Sequence, residues 1–313
     1  MQNLKDKKYY ALEKKVEDFL SIMSQTLGVE QKDLKVKVSA ELEFYIVGKN
    51  SSRLREKMNL NSETIKNLNS ILMNYDDNIK KRNQENSIYD NEEMEQIRLE
   101  SLEEEDGYNQ FEVQFKPTFN PTELAINIIN FKTLISKIIE VDFRAKPYED
   151  EPTSSLHFHI SVYHKDSNLF AKDNPFNDDE YYYLPLYWCI AGLLETMPKF
   201  INYFAPTENC KERYVVPKER QRYIHYPTRI CWGFNNRTCA IRIPRKPNED
   251  PLNCRIEHRV SSSMADPFLV LLAILEGMSY GVKNELEAPE PIYVSAFDDN
   301  NAGKLIIELF KNF

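Results

Sequence analysis

Two spacings of hydrophobic residues alternate along the chain. Apolar residues recur every three or four positions in stretches that predict helices, at residues 9–29, 122–141, 182–204 and in the apolar run after Asp266. Alternation of apolar and polar residues, which puts every second side chain on the same side, predicts strands at residues 35–47, 110–119, 154–163, 230–234, 239–244 and 254–260. The mixed order of helices and strands predicts an α+β fold.

A polar run rich in Asn, Glu and Lys interrupts this order at about residues 50–98. It contains helix-like pieces such as SETIKNLNSILMN, so we predict a helical connection or a mobile insertion. No sequence repeat is visible that would indicate a repeat architecture, and no linker rich in Pro, Gly or Ser divides the chain. We therefore predict a single domain across residues 1–313.

Four of the strand candidates carry polar side chains two residues apart, and such side chains share one face. These sets are Glu41 with Glu43; Gln110 with Glu112 and Gln114; His157 with His159; and Arg255 with Glu257 and Arg259. Each set alone fits the solvated side of a half-exposed antiparallel sheet. Together they indicate a cavity lining, because carboxylate, imidazole and guanidinium groups bind divalent metals and phosphate.

The types of side chain in these sets indicate which ligands the cavity binds. Carboxylate oxygens with one or two imidazoles suit Mg²⁺ or Mn²⁺, and arginine offers paired donors to phosphoryl oxygens. Metal together with arginine indicates nucleotide phosphates. The sequence contains neither GxxxxGK[ST] nor GxGxxG, so a phosphate-binding glycine loop does not supply the site.

Composition narrows the class of protein. The formal net charge of -9 argues against a general binder of nucleic acid or anionic membranes. The five cysteines form no CxxC pair, which predicts reduced thiols. The charged N-terminus has no apolar core of a secretory signal, and no apolar run is long enough to span a bilayer. These features predict a cytoplasmic protein that binds neither nucleic acid nor membrane.

Five segments, in order, resemble the catalytic domain of the glutamine synthetase family. They are AELEFYIV (40–47), NQFEVQF (109–115), LHFHIS (156–161), NRTCAIRIP (236–244) and RIEHR (255–259), which is followed by an Asp-Pro-Phe helix start. The family includes enzymes that join γ-glutamyl groups to amines and polyamines. The resemblance implies an ATP-dependent carboxylate–amine ligase that works through an acyl phosphate. It also implies a curved antiparallel sheet that lines the active site, with helices packed outside.

The resemblance implies two metal sites, each occupied by Mg²⁺ or Mn²⁺. Glu43, Glu104 and Glu112 would bind one ion, and Glu41, His157 and Glu257 the other. The choice of Glu104 rests on its position eight residues before Glu112. Because Glu104 lies in the acidic run ESLEEED, a solvated loop is the alternative for it.

The resemblance also assigns the groups that contact ATP and the substrates. The ATP-contacting residues would be His159, Ser161, Arg242 and Arg255. Arg237 would stabilise the transferring phosphoryl group, and Glu104 would take the proton of the amine. Arg259 would hold the substrate carboxylate, and Arg213 would be an approximate counterpart of an arginine in the family's flap.

Several segments depart from the family pattern. The chain starts directly at the helix before Glu41, without the family's β-grasp domain, and it ends at Phe313 without the family's long tail. DEPTSS (150–155) replaces the loop that contacts the amino-acid substrate. In KERYVVPKERQRYIHYPTR (211–229), His225 stands where the flap has a glutamate, and Glu219 is only an approximate counterpart.

These departures leave two kinds of function open. The first is a ligase with an altered acid or amine, with true glutamine synthesis as its closest variant. The second is a non-catalytic or regulatory paralogue that binds nucleotide or a full-length synthetase. The expected partners are ATP and small carboxylate and amine substrates. Self-association and association with a full-length synthetase both stay open.

Overall fold

A computed structural model describes residues 2–47, 97–171, 184–215, 225–244, 249–298 and 302–312. Its centre is a nine-stranded sheet. The strands are β1 (Leu34–Ile46), β2 (Leu99–Glu104), β3 (Gln110–Thr118), β4 (Val141–Asp142), β5 (Leu156–His164), β6 (Ser167–Asn168), β7 (Arg229–Phe234), β8 (Cys239–Ile243) and β9 (Ile256–His258). They lie in the order β2-β3-β1-β5-β9-β8-β7, while β4 pairs with β1 and β6 pairs with β5.

All strand pairs are antiparallel except β7 and β8, which run parallel. The predicted α+β fold with a sheet and packed helices is therefore confirmed, and its antiparallel character holds for every pair but this one. The acidic stretch 99–104 forms a strand that its composition did not indicate. The predicted insertion at about residues 50–98 lies outside the described residues, apart from its last two positions.

Five α-helices are described: α1 (Gln2–Leu27), α2 (Pro121–Ile138), α3 (Leu184–Phe204), α4 (Glu208–Glu212) and α5 (Pro267–Lys283). The starts of α2 and α5 follow a common rule, with proline in the first turn and a capping side chain just before it. Asn120 accepts hydrogen bonds from the backbone of Thr122 and Glu123, and Asp266 accepts them from Phe268 and Leu269.

The helices cover the apolar face of the sheet. Phe44 and Phe111 project from β1 and β3, and Phe44 packs edge-on against Phe131 of α2. Helices α3 and α5 touch backbone to backbone, since a Cβ on Gly281 would lie 1.9 Å from the Trp188 carbonyl oxygen. None of the helices within the described ranges combines the length and apolar character needed to cross a bilayer. The opposite face of the sheet is left for polar side chains.

A buried lysine links α2 to the segment that follows β9. Lys132 donates a hydrogen bond to the Ser263 carbonyl oxygen, and its ammonium lies 5.4 Å from the Phe143 ring centroid. Burial lowers the pKa of Lys132 to about 8, and the nearby Asp266 carboxylate only partly offsets this shift. The folded protein therefore binds its lysine proton less tightly than the unfolded chain does.

This difference predicts how stability changes with pH. Between about pH 8 and pH 10.5 the unfolded chain holds the Lys132 proton and the folded protein releases it, so this residue's contribution to stability rises with pH. The gain relative to Lys132→Met is expected to reach about 3.5 kcal/mol at most, at roughly 1.4 kcal/mol per pKa unit. Urea unfolding of both proteins at pH 7.5 and 10 measures it. A stability difference that stays constant between the two pH values would contradict the prediction.

Candidate active site

The strand register brings the polar sets together on one face. Glu43 of β1 lies opposite Glu112 of β3, and Glu41 lies opposite Gln114 on one side and His157 of β5 on the other. Next along β5, His159 lies opposite Glu257 of β9. Residues directly opposite each other in a sheet share a face. One continuous polar face therefore crosses from β3 to β9.

Glu41 lies at the centre of this face. Its Oε1 is 3.0 Å from His159 Nε2, and its Oε2 is 3.6 Å from His157 Nδ1. Burial favours the neutral carboxyl, but the His159 and His157 imidazoles outweigh it and hold the pKa of Glu41 well below its ordinary value. Glu41 is therefore a carboxylate at neutral pH.

Glu257 is fully buried and lies between two arginines. Arg242 Nη1 donates to Glu257 Oε2 at 2.7 Å, and Arg259 Nη1 donates to Oε1. Against the effect of burial, the Arg259 guanidinium leads the neighbouring cations in lowering the pKa of Glu257 to about 2. His157 Nδ1 lies 3.8 Å from the same carboxylate. Glu257 is therefore a buried carboxylate at neutral pH.

The other carboxylates on this face repel one another. Burial, together with the charges of Glu41 and Glu43, raises the pKa of Glu112 to about 9. Burial likewise raises the pKa of Glu43 to about 7, although its Oε2 accepts a hydrogen bond from the Ser155 backbone at 2.9 Å. A divalent ion bound among these carboxyl groups would let them ionise.

Two groups of side chains have the spacing of a metal site. Glu41, Glu112 and His157 form one group, and Glu41, His159 and Glu257 form the other, with the ligand atoms of each group within 4.8 Å of one another. Among the described residues, buried His157 Nε2 has no hydrogen-bond partner, as expected of an imidazole nitrogen that binds a metal. Oxygen-rich ligands with imidazole fit Mg²⁺ or Mn²⁺.

These groups differ in composition from the predicted metal sites. His157 groups with Glu112 rather than with Glu257, and His159, predicted to contact ATP, lies beside Glu257. Glu43 is on the same face but outside both groups. The predicted division of ligands between two ions therefore stays a prediction, while the side chains do lie together.

The register places Glu104 away from the polar face. Glu104 lies opposite Phe111, whose side chain is in the core, and it is exposed at the edge of the sheet. Its neighbour Glu105 lines the cavity beside Glu43 instead. Burial raises the pKa of Glu105, Glu41 adds to the increase, and the Arg237 guanidinium partly offsets it. The roles assigned to Glu104 therefore stay predictions, and the position of Glu105 in the cavity makes it the alternative.

This placement predicts a sharp contrast between two adjacent residues. For the ATP-dependent ligase that the sequence resemblance implies, Glu105→Gln is expected to lower the rate of phosphate release by roughly 100-fold, because it removes a proton acceptor. The matched variant Glu104→Gln is expected to retain the rate of the unaltered chain within about twofold, as surface changes usually do. Steady-state phosphate release by both variants tests this. The reverse order of effects would restore the prediction made from spacing.

The predicted ATP-contacting residues lie around one end of the polar face. Arg255 Nε donates to His159 Nδ1 at 3.0 Å, which fixes both side chains. Ser161, opposite Lys37 of β1, lies two residues further along the same face. Arg242 is held by Glu257 and by Asn235 Oδ1, the latter at 2.6 Å. Sequence reasoning missed Lys37 and Asn235, although strand spacing puts Lys37 on the face of Glu41.

Arg213 and Arg259, which the resemblance singled out, both bind groups of the protein itself, and the substrate contact predicted for Arg259 stays a prediction. Arg213 is fully buried and donates to the carbonyl oxygens of Val260 and Ser261 at 2.9 and 2.8 Å, so it anchors the chain after β9. Arg259 is also buried and binds Glu257 and the carbonyl oxygen of His225. In this structure both guanidiniums hold protein groups.

Two cavities are lined by successive parts of β1 and β5. The first, of about 420 Å³, includes Lys37, His159, Ser161 and Arg255 in its lining. The second, of about 1150 Å³, lies beyond Glu43 and His157 and extends to His225. Its lining includes seven carboxylate side chains, namely Glu43, Glu105, Asp106, Glu149, Asp150, Glu151 and Glu212. The first lining also contains Glu41 and Glu100, so its charge is mixed, whereas the second cavity suits a cation.

Comparison with known proteins agrees with this geometry. The sequence profile of "Glutamine synthetase, catalytic domain" matches residues 22–310. The chain belongs to the glutamine synthetase family. Members of this family use ATP and divalent metal ions, in keeping with the paired carboxylate and imidazole groups around Glu41.

Named relatives within the glutamine synthetase family differ in the amine that their names specify. Gamma-glutamylputrescine synthetase of Escherichia coli is 32% identical over 213 residues, which is 66% of this chain and 42% of that protein. Glutamate–methylamine ligase of Methyloversatilis universalis is 27% identical over 201 residues, which is 62% of this chain and 43% of that protein. The chain thus spans about half the length of these curated relatives.

A solved structure of GmaS with ADP supports the fold. It superposes with a TM-score of 0.66 and 18% sequence identity, and covers 95% of this chain and 64% of that one. At this identity the likeness concerns the fold alone. Together with the sequence match, it agrees with the sheet and helices described above.

Proposed function

We propose that this chain is the catalytic part of an ATP-dependent ligase that joins glutamate, or a related acid, to an amine through an acyl phosphate. The arrangement that supports this most strongly is the carboxylate and imidazole cluster around Glu41, which lies between the cavity that contains Lys37 and Arg255 and the acidic cavity. The single domain predicted across residues 1–313 is part of the same proposal.

The side chains around this junction have distinct proposed roles. Arg255 and Ser161 bind the nucleotide phosphates, and Glu41, Glu112, His157, His159 and Glu257 hold divalent ions between the cavities. Bound ions would offset negative charge on the phosphates and on the acid. Arg237 stabilises the transferring phosphoryl group from the edge of the site, near enough to Glu105 to affect its pKa.

The bond changes follow from these roles. A carboxylate oxygen of the acid attacks the terminal phosphorus of ATP, and ADP leaves. The amine nitrogen then attacks the acyl carbon, and phosphate leaves with the electrons of the broken carbon–oxygen bond. The amine must lose a proton in this step, and Glu105, in place of Glu104, is the carboxylate positioned to accept it.

The acidic cavity favours a positively charged organic amine as the acceptor. Of the basic side chains in its lining, Arg144 pairs with Asp142 at 2.6 Å, and Lys146 donates to the Glu151 carbonyl oxygen at 2.9 Å. The described part of the lining therefore retains an excess of carboxylates. A diamine, whose second ammonium group would lie among them, fits this cavity better than ammonium does.

The test is to follow phosphate release by the purified chain with ATP, glutamate and Mg²⁺ or Mn²⁺. Ammonium, methylamine and putrescine serve as acceptors at equal concentration, and mass spectrometry identifies the amide. We expect release that requires both glutamate and an amine and is fastest with putrescine. The apparent KM for putrescine should rise with ionic strength, because screening weakens its attraction to the cavity.

Two results would reject parts of this proposal. If nucleotide and Mn²⁺ bind but no amine produces phosphate, the ligase is rejected in favour of the paralogue that only binds nucleotide. If ammonium is the best acceptor at low ionic strength, the ligase stands and the diamine is rejected.

A further inference from the structure

The segment after α5 lies bonded along β7, although residues 285–298 form neither helix nor strand. We call residues 285–298 the C-terminal strap. The Ile292 backbone donates to the Trp232 carbonyl oxygen at 2.8 Å, and Trp232 Nε1 donates to the Pro289 carbonyl oxygen at 2.6 Å. A Cβ on Gly233 would lie 2.5 Å from the Ile292 carbonyl oxygen, so glycine permits this close approach.

Asn236 joins the strap to the loop at residues 235–238, which connects β7 to β8 and carries Arg237. Its Nδ2 donates to the carbonyl oxygens of Ile292 and Val294 at 3.0 and 2.8 Å. Its Oδ1 accepts from the backbone and the hydroxyl of Thr238 at 3.1 and 2.7 Å. An amide side chain has two donor hydrogens and an acceptor oxygen with two lone pairs, and here all of them are used.

Thr238 supplies a second link. Its Oγ1 accepts a hydrogen bond from the Ala296 backbone at 2.9 Å. Ala296 is fully buried and packs in a small apolar cluster with Cys231, Cys239 and Ala302. The strap is therefore held against β7 at Pro289 and Ile292, and it is held in the small apolar cluster at Ala296.

The same loop is fixed to the metal-binding groups at its other end. Asn235 has the left-handed φ of 48°, and its Oδ1 accepts from Arg242 Nη2 at 2.6 Å. Arg242 in turn binds Glu257. Arg237 thus lies between a link to the metal-binding groups and a link to the strap, while its own side chain is exposed.

We propose that Asn236 and Thr238 are positioning residues, which hold Arg237 in place through the C-terminal strap. This inference rests on the proposed function, because it concerns the phosphoryl-transfer role of Arg237. A backbone held at both ends presents an exposed arginine in one place, and a displacement of about 1 Å can cost about 100-fold in rate. Asn236 touches neither nucleotide nor acid in this proposal.

The experiment compares Asn236→Ala with Asn284→Ala. Asn284 donates a comparable bond to the Tyr280 carbonyl oxygen at 2.7 Å, but it lies at the end of α5, so it is the matched control. We expect Asn236→Ala to lower kcat by roughly 10- to 100-fold with KM for ATP within about twofold of the unaltered chain. Asn284→Ala should leave both values unchanged.

Two further measurements separate positioning from a general loss of structure. Thr238→Val removes the second link without a cavity and should lower kcat by a smaller factor. The double variant should lose less than the product of the two single losses, because both substitutions release the same strap. Hydrogen exchange at the amides of Ile292 and Ala296 should accelerate in Asn236→Ala and Thr238→Val.

Each remaining outcome overturns the inference. Faster exchange in the strap with an unchanged kcat would show that the strap does not position Arg237. Equal losses in kcat and ATP affinity would indicate a general structural role. If the unaltered chain releases no phosphate with any amine, the proposed function fails and this inference fails with it. If the unaltered chain is active and only the variants behave otherwise than expected, this inference alone fails.

Discussion

Glu257→Ala is expected to abolish amine-dependent phosphate release, with a loss of at least about 1000-fold. The substitution removes a carboxylate of a candidate metal-binding group and leaves the partly buried Arg242 and the buried Arg259 without their shared partner. Breaking a buried ion pair from one side costs roughly 3–5 kcal/mol, so stability should fall as well. Phosphate release and thermal unfolding, each with and without Mn²⁺, measure the two effects.

Glu276→Ala is the matched control, since Glu276 forms a partly exposed ion pair with Lys15 at 2.6 Å, away from the polar face. It should keep turnover and the full increase in unfolding temperature on adding Mn²⁺. The isostere Glu257→Gln separates chemistry from folding, because it retains the volume of the side chain. If Glu257→Gln folds and turns over at the rate of the unaltered chain, Glu257 is not a metal ligand.

Arg237→Ala is expected to lower kcat by roughly 1000-fold while nucleotide binding is largely kept. An arginine that acts on the transferring phosphoryl group contributes in the transition state, and such residues supply about 10³- to 10⁵-fold in related reactions. Arg237 is exposed, so its removal should cost little stability. Isothermal titration with ADP and Mg²⁺, beside steady-state turnover, gives the two values.

Arg98→Ala serves as the control for Arg237, because Arg98 is an exposed arginine that pairs with Glu123 at 3.2 Å on the far part of the sheet. It should match the unaltered chain in both measurements. Equal losses of nucleotide binding and turnover in Arg237→Ala would contradict the role given to Arg237 and would indicate a ground-state contact with the nucleotide.

Alternation along single strands was enough to predict the polar face. Glu41 with Glu43, and His157 with His159, are each two residues apart, and this spacing fixes their common side whatever the neighbouring strands are. The register between strands then decided which sets meet. Sequence spacing alone could not show that His159 would lie opposite Glu257.

For Glu104, the number of residues before Glu112 does not predict the face of the sheet on which the side chain lies. The turn between β2 and β3 includes Asn109 in the left-handed region, with φ of 61°, so the number of residues across it does not determine which side chains face each other. Pairing with β3 also made a strand of an acidic stretch that local preferences would leave as a loop. Both outcomes depend on tertiary contacts.

Arg213 and Arg259 show a second limit of prediction from the sequence. Motifs identified Arg213 and Arg259, but a guanidinium can bind a carbonyl, a carboxylate or a ligand with the same donors. Which one it binds depends on the depth of burial, and Arg213 and Arg259 are both buried against protein groups. Burial of this kind follows from the assembled fold rather than from the order of residues.

The two cavities are lined by successive parts of the same strand, with Lys37 and Glu41 of β1 in the first and Glu43 in the second. In the proposed ligase, a nucleotide in the first cavity and an amine in the second occupy separate volumes. Neither ligand has to bind first on steric grounds, and spent nucleotide can depart while the amide product is still held. Initial-rate plots should therefore show intersecting lines, as expected when substrates bind in no compulsory order. ADP should inhibit competitively against ATP but not against the amine.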